Sequence, residues 1–193
     1  MVPATGDKEK ELVLALRERT EEGQRACYEQ YYCYLTAVCA RYVPSDEDVK
    51  DLLQEIFIKI FTQIDRFSYR GPGSFRAWCH QVAVNESLMF LRSRKRRRML
   101  SIERFDRQSD EEEVPDDPMV EDIPPGILLD LIRKLPERYR TVFNLYIFED
   151  KSHREIAGLL HIKEDSSASN LHRAKALLAK WIEAYKKGKS HGG

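Results

Sequence analysis

The chain has 193 residues, of which 42% are hydrophobic and 33% charged, and this composition is ordinary for a globular protein. It contains no apolar run long enough to cross a bilayer, and its first residues, MVPATGDKEK, lack the apolar core of a signal peptide. We therefore expect a cytoplasmic protein. Basic and acidic residues number 32 each, so the net charge is zero, but the charges are segregated along the chain.

Apolar residues recur with helical spacing throughout, and we find no convincing strand pattern and no internal repeat. The first three predicted helices cover residues 8–19, 23–42 and about 47–64. Residues 66–73 are predicted to form a loop because they contain Gly-Pro-Gly. Ser74 is the expected cap of a long fourth helix, which ends in the basic run 92–98 (RSRKRRR).

The third helix has two faces of different chemistry. Apolar residues at helical spacing predict a core stripe of Val49, Leu52, Leu53, Ile56, Phe57, Ile60, Phe61 and Ile64. The far side carries Asp51, Gln54, Glu55 and Ile58, so we expect Ile58 to be exposed. A single exposed isoleucine is normal on a protein surface. Next to carboxylates and an amide it also suits a protein-binding face, and the helix alone leaves both interpretations open.

The loop and the fourth helix have features of a nucleic-acid site. Phe75 and Trp78 are predicted to lie mainly in the core, which leaves the loop and Asn85 facing a ligand. Aromatic rings beside a glycine loop, with arginines nearby, suit single-stranded nucleic acid because bases stack on rings and positive charge follows the backbone. The run 92–98 contains six basic residues and no acid, a density that favours phosphate binding.

Residues 99–125 are polar, acidic and proline-bearing, and we interpret them as a linker between two helical domains. Within them, residues 106–122 hold nine acids and one arginine, a net charge of −8. The expected organisation is all-α: a helical domain over 1–98, a linker over 99–125, a second helical domain over 126–187 and a disordered tail over 188–193.

The second domain is a helix-turn-helix candidate. Ser152 and Glu155 have capping-box spacing at the start of a short helix. Residues 161–165 form the predicted turn, after which Asp165 or Ser166 is expected to cap the next helix. The polar face of that helix carries residues suited to DNA, namely Ser169, His172, Arg173 and Lys180. No glycine marks the turn, so an ordinary amphipathic helix with a solvated outer face is an alternative.

The four cysteines, Cys27, Cys33, Cys39 and Cys79, form no C-x-x-C pair. This spacing gives little support to a zinc site, and we interpret the cysteines as small buried residues in a reducing cytosol. Redox sensing is the alternative. We expect neither a metal nor a cofactor.

Two segments resemble one protein family. DVKDLLQEIFIKIFTQIDRF, followed by RGPGSFRAWCHQVAVNESLMFLRSRKRR, is similar to the second conserved region of the extracytoplasmic-function (ECF) sigma factors. IRKLPERYRTVFNLYIFEDKSHREIAGLLHIKEDSSASNLHRAKALL is similar to their fourth region. The resemblance implies a factor that binds the bacterial RNA polymerase core, captures the melted −10 strand with its second region and reads the −35 duplex with its fourth. It also implies an anti-sigma factor as a partner, often membrane-bound in the family.

Together with the residue patterns, the resemblance implies three sets of site residues. The set expected to bind polymerase is Asp51, Gln54, Glu55 and Ile58. The set expected at the −10 element is Ser68, Tyr69, Arg70, Gly71, Asn85, Arg92, Arg94 and Lys95. The set expected at the −35 element is Ser166, Ser169, His172, Arg173 and Lys180. The chain departs from the family at Ala168, where many members carry an arginine that meets DNA, and at Pro72-Gly73 in the loop.

Other classes of protein explain less of the sequence. A free-standing helix-turn-helix regulator is the nearest rival, but it would leave the motifs of the first domain without a role. A metal or redox sensor would use the cysteines. An enzyme has the least support, because the chain shows no nucleophile–base set, phosphate loop or cofactor fingerprint.

Overall fold

The computed structural model describes residues 7–100 and 123–190, apart from the side chains at positions 95, 97–100 and 188–190. The chain divides into two units, Met1–Glu103 and Arg104–Gly193. In the first unit the helices are α1 Lys8–Arg17, α2 Glu21–Tyr42, α3 Asp46–Gln63 and α4 Ser74–Leu100, with a 3-10 turn at Ile64–Arg66. In the second they are α5 Pro125–Lys134, α6 Glu137–Ile147, α7 His153–Leu160 and α8 Glu164–Ser190.

All regular elements in the two described ranges are helical, which confirms the predicted fold class. Helix α8 runs to Ser190, three residues into the predicted tail, and the acidic segment 106–122 lies outside the described residues. None of the described helices is both long and apolar enough to cross a membrane.

Helices α1 and α2 meet at a close approach. Helix α1 ends two residues earlier than predicted, and Arg19 then adopts a left-handed φ of 59°, which an α-helix does not allow. Thr20 caps α2 by accepting a hydrogen bond from the Gly23 amide at 3.1 Å. A Cβ at Gly23 would come within 2.8 Å of the Ala15 Cβ, so only glycine lets the two helices approach this closely.

Helix α3 packs between α2 and α4 with the predicted stripe inward. Seven of its eight members are buried and Phe61 is half-buried, whereas Ile58 is 55% exposed. Lys59 also joins α3 to α4 by donating to the Glu86 carboxylate at 2.5 Å. The prediction of the core face is confirmed.

An aromatic cluster around Phe75 closes the other end of the first unit. Phe75 is fully buried, and its ring centroid lies 5.4 Å from that of Tyr31 and 5.5 Å from that of Phe67. Phe67 also contacts Trp78 at 5.2 Å, and its carbonyl accepts a hydrogen bond from Arg17 of α1 at 2.6 Å. The cluster thereby ties α1, α2 and α4 to the start of the loop before α4.

In the second unit, α5 and α6 pack against α8. The buried core consists of Leu131, Ile132, Leu135, Tyr139, Ala174, Leu178 and Ile182. Arg140 of α6 is only 4% exposed, and its guanidinium donates to the carbonyls of Arg133 and Leu135 at 2.9 Å each. A buried charge needs such partners, and these bonds satisfy carbonyls that the end of α5 leaves open.

The prediction that the cysteines are buried is confirmed for Cys27, Cys39 and Cys79 but is wrong for Cys33, which is exposed. Burial raises the pKa of the Cys27 and Cys39 thiols to about 12. It also raises the pKa of the Cys79 thiol. These three side chains are therefore inaccessible and almost fully protonated at neutral pH. Because the thiolate is the reactive form of cysteine, we expect them to be unreactive in the native protein.

We predict that a thiol reagent added to the native protein at about pH 8 modifies Cys33 alone, and that the other three cysteines react only after unfolding. The measurement is a timed thiol titration before and after addition of denaturant, with Cys33→Ser as the control. A fast native reaction that survives in Cys33→Ser would contradict this account and revive the redox-sensor alternative.

Candidate polymerase and nucleic-acid interfaces

The outward face of α3 presents a mixed acidic and apolar surface. Asp51, Gln54, Glu55 and Ile58 are all exposed, so the structure brings the four predicted polymerase-binding residues together on one helix face. The arrangement offers carboxylates for basic partners and one apolar side chain for a hydrophobic contact.

A groove between α2 and α3 extends this surface. It encloses about 420 Å³ and is lined by Tyr28, Tyr32, Lys50, Leu53, Gln54 and Phe57. Tyr28 is 46% exposed, and its ring lies 4.8 Å from that of Phe57 and 4.9 Å from that of Tyr32. Sequence reasoning missed Tyr28, although its i, i+4 spacing from Tyr32 was a usable signal.

The loop before α4 has a backbone conformation that requires glycine at two positions. Gly71 and Gly73 adopt φ values of 118° and 84°, which other residues rarely take. Ser68 and Arg70 are exposed, while Tyr69 is half-buried and its hydroxyl donates to the Asp7 carboxylate. The loop therefore presents part of the predicted −10 set to solvent and holds Tyr69 against α1.

The prediction that Ser74 caps α4 is wrong. Ser74 is already helical, and its hydroxyl accepts from the Arg70 amide at 3.2 Å. The Glu9 carboxylate of α1 instead accepts from the Gly73 amide at 2.7 Å and from the Arg76 amide at 3.1 Å. These are the two amides that a capping box satisfies, and here one side chain 64 residues away takes both.

The exposed face of α4 carries two of the predicted −10 residues. Asn85 is exposed, and its side-chain oxygen accepts from Gln81 at 3.0 Å. Arg92 is exposed and follows Asn85 by seven residues, so the two lie on one side of the helix, two turns apart.

Of the other two basic residues expected at the −10 element, Arg94 does not join that face. Arg94 lies on the opposite side of α4 and pairs with Asp48 of α3 at 3.5 Å. The Lys95 side chain lies outside the described residues. Charge density alone could not separate Arg92 from Arg94, because that distinction depends on which side of α4 packs against α3.

Helices α7 and α8 form the expected helix-turn-helix pair. Ser152 and Glu155 make both bonds of the capping box, at 2.8 and 3.3 Å. The Glu155 carboxylate accepts from the Ser152 amide and also from the Ser152 hydroxyl, at 2.7 Å, and these two bonds lower the pKa of the Glu155 carboxyl. His161 ends α7 with a left-handed φ of 54°, the position that glycine usually occupies. The turn between α7 and α8 thus forms without a glycine, because His161 adopts the left-handed conformation.

The expected cap of α8 is wrong. The helix begins at Glu164, so Asp165 and Ser166 lie inside its first turn and not at its cap. The two helices are tied by a feature that sequence reasoning missed: His153 hydrogen-bonds through Nδ1 to the buried Ser167 hydroxyl at 3.0 Å. The His153 ring also stacks on Tyr146 of α6 at 4.8 Å.

The outer face of α8 presents most of the predicted −35 residues. Ser166, Ser169, His172 and Lys180 are exposed, and Arg173 is half-buried. The Ser169 hydroxyl donates to the Asp165 carbonyl at 2.8 Å, so its proton is already used within the helix. Among these side chains, the Arg173 guanidinium has the chemistry best suited to a base edge, because it can bridge two acceptors.

Comparison with known proteins identifies both units. Residues 27–97 match Sigma-70 region 2, and residues 126–178 match Sigma-70, region 4. The ECF RNA polymerase sigma-E factor of Haemophilus influenzae is 28% identical over 181 residues, which cover 88% of this chain and 94% of that protein. The ECF RNA polymerase sigma-E factor of Escherichia coli (strain K12) is 28% identical over 172 residues, which cover 83% of this chain and 88% of that protein.

A solved structure of CnrH in complex with the cytosolic domain of CnrY is similar at 19% identity and a TM-score of 0.46, covering 90% of this chain and 96% of that one.

The two matched regions, in this order on two helical units, define a transcription initiation factor of the sigma-70 type. The chain belongs to the ECF family of RNA polymerase sigma factors and directs transcription initiation by RNA polymerase. It is therefore not an enzyme.

Proposed function

We propose that three surfaces divide the work of promoter recognition. The outward face of α3 binds the RNA polymerase core, the loop before α4 together with Asn85 and Arg92 captures the melted −10 strand, and α8 reads the −35 duplex. The observation that carries this proposal is that one compact unit exposes two faces of different chemistry, acidic and apolar on α3 but amide and basic on α4.

The chemistry of each surface suits its proposed target. An exposed loop beside an amide and an arginine can contact both the bases and the phosphates of a single strand. A helix with small residues at its front and an arginine one turn later can enter a major groove. The acidic face of α3 would repel DNA, and this supports a protein partner there.

The family resemblance supports two further parts of the proposal. The protein works in the cytoplasm, where the polymerase is found. An anti-sigma factor holds it inactive, and the exposed faces of α3 and α8 are the surfaces such a partner would need to cover.

Ile58→Glu is predicted to weaken binding to core polymerase at least about tenfold without unfolding the protein, because Ile58 is 55% exposed at the centre of the proposed contact. Ile56→Glu is predicted to unfold the first unit, since an unpaired buried charge costs about 3–5 kcal/mol. Core affinity and thermal unfolding are the two measurements.

Leu14→Glu is the matched control for the Ile58 variant, because Leu14 of α1 is 49% exposed but lies off the α3 face. The control should bind core polymerase normally. Equal losses of affinity in Leu14→Glu and Ile58→Glu, or unfolding of Ile58→Glu, would show that the α3 face is not the contact.

Arg173→Ala and Asn85→Ala are predicted to fail at different promoter elements. Loss of Arg173 should relax −35 preference by ~1–3 kcal/mol per contacted base pair and impair closed-complex formation. Loss of Asn85 should leave duplex binding nearly normal, slow strand opening and remove −10 base preference even on a pre-melted bubble. Transcription from a promoter library separates these effects, and an exchanged pattern would contradict the assignment of the two sites.

A further inference from the structure

Glu9 of α1 lies at the start of α4, far from it in sequence. Its carboxylate accepts hydrogen bonds from two backbone amides, those of Gly73 and Arg76, and a third from the Tyr31 hydroxyl at 3.2 Å. Burial and then the Glu9 charge raise the pKa of Tyr31, so that hydroxyl keeps its proton and remains a donor. Glu9 is thus fixed by three donors from two other parts of the fold.

The position of this carboxylate has an electrostatic consequence. The N-terminus of a helix carries partial positive charge and unsatisfied amides, and it is where a free phosphate would bind. Glu9 fills that position from within the protein. It therefore satisfies the amides that Ser74 leaves open, and it fixes the point at which the loop enters α4.

A second bond from α1 holds the other half of the loop. Asp7, which also caps α1 through the Lys10 amide, accepts the Tyr69 hydroxyl. Between Tyr69 and Gly73, the backbone passes through Gly71, which has a positive φ and, because it lacks a Cβ, little intrinsic restraint. The geometry of the loop therefore depends on two carboxylates of α1 that the sequence patterns did not single out.

We propose that Glu9, assisted by Asp7, is a positioning residue for −10 base selection: it sets the conformation of loop 68–73 and the start of α4 without touching DNA. This inference rests on the proposed function, in which that loop and Asn85 meet the melted strand. A carboxylate would repel the strand if it were in contact, so its benefit must come through the backbone it holds.

The test compares Glu9→Gln with Glu11→Gln in the full-length protein bound to core polymerase. Glutamine keeps the size of the side chain but offers one acceptor oxygen and an amide that clashes electrostatically with the two N–H groups. Glu11 lies on the same helix and is exposed, so it controls for the change in charge. The readout is base preference at each promoter position in a transcribed library.

Glu9→Gln is expected to reduce base preference at the −10 element about fivefold, the factor that corresponds to the free energy of a lost helix cap. Base preference at the −35 element and affinity for core polymerase should equal those of Glu11→Gln. Equal −10 preference in the two variants would overturn the proposal. Tighter strand binding by Glu9→Gln with unchanged preference would overturn it as well, because Glu9 would then be only a competitor for phosphate.

If Glu9→Gln lowers thermal stability or core affinity, Asp7→Asn provides the test of the positioning role instead. Asparagine still caps α1 but weakens the bond to Tyr69, and we expect a flattening of −10 preference by about twofold in a stable protein. No change in that variant would overturn the proposal, since Glu9 would then act on stability alone.

Asn85→Ala in the same library separates this inference from the function on which it rests. If Asn85→Ala alters −10 preference and Glu9→Gln does not, the proposed function stands and the positioning role fails. If Asn85→Ala leaves −10 preference intact, the site itself is misassigned and the positioning role falls with it.

Discussion

The burial of Phe75 is the constraint on which the first unit depends. Its ring is fully buried against Tyr31 and Phe67, so the first turn of α4 cannot move without opening a cavity next to α2 and the start of the loop. Burying such a side chain contributes ~1.5–3 kcal/mol, and each ring pair adds ~0.5–1.5 kcal/mol. Phe67 and Phe75 stand on either side of the loop, so the same packing that stabilises the core also fixes the two ends of the segment proposed to meet DNA.

Under the proposed function, one small unit serves two partners through α3 and α4. Each helix packs one side against the core and leaves the other side exposed. On α3 the boundary falls between Ile56, which is buried, and Ile58, which is not. On α4 it separates Arg92, on the Asn85 face, from Arg94, which pairs with Asp48. A partner can therefore be lost from one face by a substitution that leaves the other face and the core unchanged.

The sequence predicted the features that depend on neighbours within a few residues. Helical spacing was enough to assign the α3 core stripe, and the Ser152 capping box was recognisable because both its bonds are local. The predicted caps of α4 and α8 were wrong for different reasons. At α4 the partner is Glu9, and spacing along a helix carries no information about a residue 64 positions away. At α8 several polar residues in succession could each serve as a cap, and only the observed start at Glu164 decides among them.

Run-off transcription from a promoter library, with purified core polymerase and this protein, tests the central claim most directly. We predict transcripts that require both components, with base preference at the −10 and −35 elements and little tight binding of promoter duplex by the protein alone. Tight, sequence-specific duplex binding without polymerase, together with transcripts that do not depend on the protein, would contradict the account and favour a free-standing helix-turn-helix regulator.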